Sequence, residues 1–188
     1  IEYYDQNAEG LFVQYESTRF TDVHTDWQHL LPKSGEILDV GAGSGRDCAF
    51  MASRGLRVIA VEPAKNLRVL GSNCHSHKSI TWLDDTLPKL TITISLNKKF
   101  DLLLLSAVWM HLSVSERKIA ISILCLLLKP SASLIITLRH GESGDARIMH
   151  PVSFDEIKLL LEHTEFACQL LTKNKHNADT LGRNQVRW

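Results

Sequence analysis

Three apolar runs that end in acid, with three glycines after the first, hold the clearest chemical pattern in this chain. Asp39 closes an apolar run, and Gly41, Gly43 and Gly45 follow at alternate positions in GEILDVGAGSGRD before helical spacing begins. Glycine lets the backbone turn tightly and lets a ligand approach where a Cβ would stand. Amides at the start of the next helix are expected to face that ligand. A second apolar run ends in VIAVEPA with Glu62, and a third in ITWLDDTLP with Asp84 and Asp85. A carboxylate two residues before the first glycine suits a ligand with an ammonium group and sits badly beside a pyrophosphate. Dinucleotide loops with GxGxxG spacing need glycine at 46, where this chain has Arg46. Glu62 is placed to accept both hydroxyls of a ribose and to repel a 2′-phosphate, and Asp84 or Asp85 to reach an adenine amino group. Strand-end acids often simply cap the helix that follows, but three in succession behind one glycine loop argue for a nucleoside ligand.

These residues need a scaffold that brings strand ends together. Strands are predicted at Glu36–Val40, Val58–Glu62, Ile80–Leu83, Phe100–Ser106 and Ser133–Leu138, with helices at Arg46–Arg54, Ala64–Cys74, Ser113–Lys129 and Ser153–His163. Ser113 with Glu116 and Ser153 with Glu156 have the spacing of N-terminal capping boxes. Phe166–Thr172 and Gln185–Trp188 read as two closing strands. The alternation gives an α/β, Rossmann-like, doubly wound and mostly parallel sheet of seven strands with helices on both faces and an antiparallel C-terminal strand. Ligands of such sheets bind beyond the carboxyl ends of the strands, at the switch point beside the first one. Residues 1–31 read as an N-terminal helical lid in front of a core spanning 35–188, all one domain. The first residue is Ile1 and the last, Trp188, falls inside an expected strand, which is therefore expected to be cut short.

Composition narrows the class further. Hydrophobic residues at 44% and charged residues at 22% fit a globular cytoplasmic protein, and no apolar run approaches the length of a membrane span. Lysine plus arginine and aspartate plus glutamate are both 21, so the basic excess of a phosphate-tracking domain is missing. Nucleic acid is disfavoured as a partner. Cys48, Cys74, Cys125 and Cys168 are far apart and form no CxxC pair, so neither a metal site nor a disulfide framework is expected.

The ordered motifs DVGAGSGRD, AVEPA, WLDD with LP, and FDLLLLSAVWMHL followed by LLKPSASLIITLRHG resemble those of class I S-adenosylmethionine-dependent methyltransferases, most nearly small bacterial ones of unassigned substrate. The resemblance covers nearly the whole chain. It implies S-adenosylmethionine as cofactor, with S-adenosylhomocysteine as product. Asp39, Gly41, Ala42 and Gly43 would then surround the methionine portion, Glu62 the ribose and Asp84 or Asp85 the adenine, with Ser106 also on the cofactor. Tyr4 and Tyr15 match tyrosines of a helix that folds over the cofactor, although Tyr15 equally suits plain packing. Ser131 and Ala132 replace two glycines common in the family, a departure expected to affect stability alone.

Methyl transfer is an in-line displacement, so positioning is the main task, and a base helps only where the acceptor is protonated. Candidates lie past the fourth and fifth strands. His111 is the candidate base, and Trp109 either stacks on the acceptor or packs under the next helix. Arg139 and His140, with Arg147 and His150 across a polar loop, suit an anionic small-molecule acceptor, or else pair with acids of that loop. The stretch SAVW replaces the asparagine-proline-proline-aromatic motif of amino-methylating nucleic-acid enzymes. A macromolecular acceptor and a catalytically silent binding protein are the competing readings.

Overall fold

The strands are β1 (Glu36–Val40), β2 (Arg57–Val61), β3 (Ile80–Leu83), β4 (Phe100–Leu105) and β5 (Leu128–Ile136). The non-alternating apolar runs of β1 and β4 are buried on both faces at the centre of the sheet, whereas β3 and β5 are only partly buried at its edges. The structure, a computed structural model, describes residues 1–141, 143–171 and 186. The sheet order is β3-β2-β1-β4-β5 and every neighbouring pair is parallel. The connection from β3 to β4 crosses to the other side of β1, so the switch point opens between β1 and β4.

Helices α1 (Glu2–Gln6), α2 (Ala8–Glu16) and α3 (Phe20–Val23) precede the sheet. Between the strands run α4 (Arg46–Ser53), α5 (Lys65–Cys74), α6 (Thr91–Ser95) and α7 (Val114–Leu127), with α8 (Phe154–Leu161) after β5. Ser113 and Glu116 form the expected reciprocal cap on α7, while at α8 the Ser153 hydroxyl accepts from the Glu156 amide. One sheet face packs on α7 and α8 through Leu103, Leu105, Trp109, Leu124 and Ile157. The other packs on α4 and the segment after α2 through Phe20, Trp27, Met51 and Leu104. No helix among the described residues is long and apolar enough to cross a membrane.

The seven-stranded, partly antiparallel sheet requires correction: the described residues form five strands, all parallel. Over its described residues Phe166–Thr172 is not a strand; Phe166 and Cys168 face the core, and that packing produced the alternation. Gln185–Trp188 lies outside the described residues except for Val186, which is buried.

The junction of α7 and β5 also differs from expectation. The helix stops at Leu127 and the strand starts at Leu128, running through Pro130. Proline cannot donate to a ladder, and the register accommodates it by jumping from Phe100 opposite Leu128 to Leu102 opposite Ser133. Ser131 sits in that irregularity with φ of 62°, a left-handed backbone that glycine takes without strain. The N-terminal segment divides in two as well. Helices α1 and α2 lie over α5, whereas Phe20 and Trp27 are sunk in the core.

Candidate active site

A cavity of about 860 Å³ opens at the carboxyl ends of the strands, walled by the glycine loop, the ends of β2 and β4, helix α1 and the loop after β5. Its size lies in the upper part of the range for small-molecule sites, roughly 300–1,000 Å³.

At the first end the walls are backbone. Gly41 and Gly43 have φ of 77° and 59°. A Cβ on Gly43 would stand 3.4 Å from the Tyr15 ring, so these positions keep both the turn and the space beside it. The Gly41 and Ala42 amides donate to the Val61 carbonyl at 2.8 and 2.9 Å, and the Gly43 amide to Glu62 Oε2 at 2.8 Å. These three amides are thus spent on the end of β2 and on Glu62. The loop's contribution is close backbone approach. Glu62 also accepts from the Ala64 amide at 2.9 Å, and burial raises its carboxyl to about 7. The two amide bonds oppose that rise and fix the carboxylate at the cavity wall.

The acids of the sequence motifs part company here. Asp39 is buried beneath the cavity, outside its lining, and accepts from Cys48 Sγ at 3.1 Å. Burial and the nearby Asp47 raise its carboxyl to about 7. Asp84 is exposed and paired with Arg68 at 2.7 Å, again outside the lining. Asp85 does line the cavity, but its oxygens accept from the amides of Thr86 and Thr93 and from the Thr93 hydroxyl, so it caps α6. Ala42 and Ser106 are in the wall. Arg46 and Asp47, which spacing did not single out, face the cavity as well.

At the other end the walls are side chains. The Tyr4 hydroxyl lies 2.8 Å from His111 Nε2, and His111 Nδ1 lies 3.0 Å from the Ile148 carbonyl. A carbonyl only accepts, so Nδ1 carries the proton; Nε2 then offers its lone pair to the tyrosine hydroxyl. Burial lowers the His111 pKa below its usual value and raises that of Tyr4, so both are neutral in this arrangement. Arg147 stands over the rings of Tyr3 and Tyr4 at 5.4 and 5.8 Å and pairs with Asp145, whose carboxyl it holds well below the usual range. The loop is pinned where the His150 amide donates to the Met110 carbonyl at 2.7 Å.

Arg139 is buried in the cavity wall against Met149, and His150 lines the wall too. His140 is exposed and lies outside it. Trp109 is wholly buried, settling the choice left open for it in favour of packing. Beneath it runs a support that spacing could not reveal: buried Arg117 donates to the Trp109 and Pro151 carbonyls at 3.3 and 2.8 Å and pairs with Glu156 at 2.8 Å. Tyr4, expected as a cofactor lid, lines the cavity, and its hydroxyl meets His111. Their separation of 107 residues left no local signal of that contact.

Comparison with known proteins agrees with the fold. Residues 37–131 match the family model described as a methyltransferase domain. An uncharacterised methyltransferase of Alkaliphilus oremlandii is 26% identical over 162 residues, 84% of this chain and 70% of that protein. Among solved structures, a TehB-like S-adenosylmethionine-dependent methyltransferase of Corynebacterium glutamicum superposes with a TM-score of 0.62 at 18% identity, covering 86% of this chain and 80% of its own. The glycopeptide N-methyltransferase MtfA superposes with a TM-score of 0.54 at 17% identity over 70% of this chain. The match spans 61% of that enzyme, which has also been solved with S-adenosylmethionine. With the family model covering half of its length, from the first strand into the fifth, this chain belongs to the methyltransferase domain family.

Proposed function

We propose that the protein transfers a methyl group from S-adenosylmethionine to a small-molecule acceptor held between His111 and Arg139. The observation that carries the acceptor class is the roof of the cavity. Tyr4 bonded to His111, with Arg147 over Tyr3 and Tyr4, covers the acceptor end with side chains drawn from the start of the chain and from the loop after β5. Such a space suits a metabolite better than a segment of a folded macromolecule. The cofactor assignment rests on family membership and on the fit of the other end. Positive φ at Gly41 and Gly43 keeps the turn clear of side chains, and the Glu62 carboxylate stands at the end of β2 where a ribose is expected.

When bound, S-adenosylmethionine supplies a methyl group activated by its sulfonium. The chain's own residues do the rest by holding and by moving a proton. His111 Nε2 is the basic atom facing the cavity, and an acceptor reaches it by taking the place of the Tyr4 hydroxyl. His111 then removes the proton that the acceptor loses, with Nδ1–H still held by the Ile148 carbonyl. Arg139, a buried cation past β5, favours an acceptor carrying a carboxylate or phosphate.

Labelled methyl donor incubated with separate metabolite, protein and RNA pools tests this reading. Label is expected in the metabolite pool, enriched among anionic compounds. Label confined to protein or RNA would overturn the small-molecule assignment.

A further inference from the structure

An amino-acid tail needs a cation for its carboxylate and an anion for its ammonium, and the predicted partner for the ammonium, Asp39, is turned away into the core. Three arginines line the cavity: Arg139 and Arg147 beyond β5, and Arg46 at the glycine loop. Next to Arg46 in the wall stands Asp47. Its Oδ1 accepts from Arg46 Nε at 2.8 Å and Nη2 at 2.7 Å. Arg46 Nη1 donates to the Tyr15 carbonyl at 3.1 Å and to Thr18 Oγ1 at 2.7 Å. Of the five N–H groups of a guanidinium these bonds use four, leaving one on Nη2.

The pair is held from behind. His24, 1% exposed, places Nε2 2.7 Å from Asp47 Oδ2, while its Nδ1 accepts from the Trp27 indole at 3.1 Å. An indole nitrogen only donates, so Nδ1 is the acceptor and Nε2 carries the proton given to Asp47. The chain Trp27–His24–Asp47–Arg46 fixes one tautomer and one orientation at every link. Its cost in buried polar groups buys no packing that apolar residues could not supply, and it ends at the cavity wall with a cation and an anion side by side.

We propose that Arg46 and Asp47 bind the carboxylate and ammonium of the cofactor's methionine portion, and that His24 is a positioning residue that holds Asp47 for this task. The proposal rests on S-adenosylmethionine being the methyl donor. It assigns to the first two helical residues after the glycine loop the role that spacing gave to Asp39. His24 touches no ligand; it acts through Asp47, and Trp27 acts through His24.

Two nucleosides separate the proposal from its premise. S-adenosylhomocysteine has the amino-acid tail, and 5′-methylthioadenosine lacks it. Both are titrated calorimetrically into the wild-type chain, Arg46→Gln and His24→Gln. Arg46→Gln is expected to weaken S-adenosylhomocysteine about ten- to hundredfold, the span for losing a hydrogen bond between charged groups. Its affinity for 5′-methylthioadenosine should stay within about twofold, which also shows that the variant is folded. His24→Gln should weaken S-adenosylhomocysteine about three- to tenfold by the same selective pattern, because a mispositioned partner loses only part of such a bond. Equal losses for both nucleosides, or none for either, would overturn the assignment of Arg46. Unchanged S-adenosylhomocysteine affinity in His24→Gln would overturn the positioning role. Should His24→Gln fail to fold, Trp27→Phe, which removes the donor that fixes the His24 tautomer, is read against the same pair of ligands: selective loss for S-adenosylhomocysteine is expected, and equal loss or none overturns the positioning role. A wild-type chain that binds neither nucleoside would remove the cofactor reading, and the proposal with it.

Discussion

The two ends of the cavity are built from different materials. At the glycine loop, backbone amides bonded to the Val61 carbonyl and the Glu62 carboxylate fix the turn, and these partners lie at the end of the adjacent strand. At the acceptor end the walls are long side chains from distant parts of the chain, joined as Tyr4 to His111, Arg147 to Asp145 and Arg117 to Glu156. Backbone walls are fixed by turn geometry and tolerate little change in residue type. Side-chain walls depend on individual contacts, each removable by one substitution. The contrast matches a division of labour in which one end keeps a constant ligand and the other can be altered to take different ones.

The sharpest way to break the acceptor end is to remove its support. Arg117→Met should lower stability by about 3 kcal/mol, toward the low end for breaking a buried pair because Glu156 keeps some solvent. For a chain of this size that is a fall in melting temperature of roughly 6–12 °C. S-adenosylhomocysteine should still bind the folded protein; a loss of affinity equal to that of a glycine-loop variant would erase the distinction between the ends. His111→Ala comes next, with transfer lowered about a hundredfold and S-adenosylhomocysteine affinity nearly unchanged. In the wild type, burial puts the acid limb of the activity profile below the ordinary histidine value of about 6.5. Tyr4→Phe removes a donor that favours neutral imidazole, so that limb should move to higher pH.

Glu62→Gln tests the backbone-built end. It keeps the shape but turns an acceptor into a partial donor facing the Gly43 and Ala64 amides, and cofactor affinity should fall by about 1–3 kcal/mol. Unchanged affinity would mean that ribose is held elsewhere. A subtler difference should appear in the pH dependence of the ligand-free chain. Asp39 has a folded pKa of about 7, while an unfolded aspartate titrates near ~3.9. Between those values the folded state holds a proton the unfolded state has released, so this contribution to stability declines as pH rises and is gone above about 7. Asp39→Asn should therefore gain stability relative to wild type between pH 5 and pH 8, as read from paired denaturant curves. The smallest effect belongs to Ser131→Gly, which should stabilise by about 0.5–1 kcal/mol by relieving the left-handed backbone, with no change in ligand affinity.

How much was legible in the sequence follows the same line. Strands β1, β3 and β4 and helices α4, α5 and α7 lie within a few residues of where apolar runs, Gly55 and the Ser113 cap place them. Glu62 could be read because strand-end position decides where its carboxylate goes. Asp39 has the backbone position expected of it, but its side chain turns inward, where Cys48 and the α4 packing around it hold it outside the cavity lining. Asp85 became the cap that the sequence had offered as its alternative, serving α6, a helix too short to show periodicity. The Tyr4–His111 bond and the Arg117 anchor depend on tertiary contacts between segments with no shared pattern. Arg46 and Asp47 were in plain view within the glycine motif, yet nothing in their spacing distinguishes a wall residue from an ordinary helix start.

The loop after β5 has a further consequence because of where it is fastened. Before it, the Ala107 amide donates to Thr137 Oγ1 at 2.9 Å; after it, Arg117 holds the Pro151 carbonyl. Both fastenings belong to the scaffold rather than to the segment between them. Residues 139–150 can therefore be exchanged without touching either fastening or the sheet register, with loss of the contacts that Ile148 and His150 make to His111 and Met110. Diversification of such an enzyme, by natural insertion or by loop grafting at the bench, has a ready point of entry there, with Thr137 and Pro151 as its splice marks.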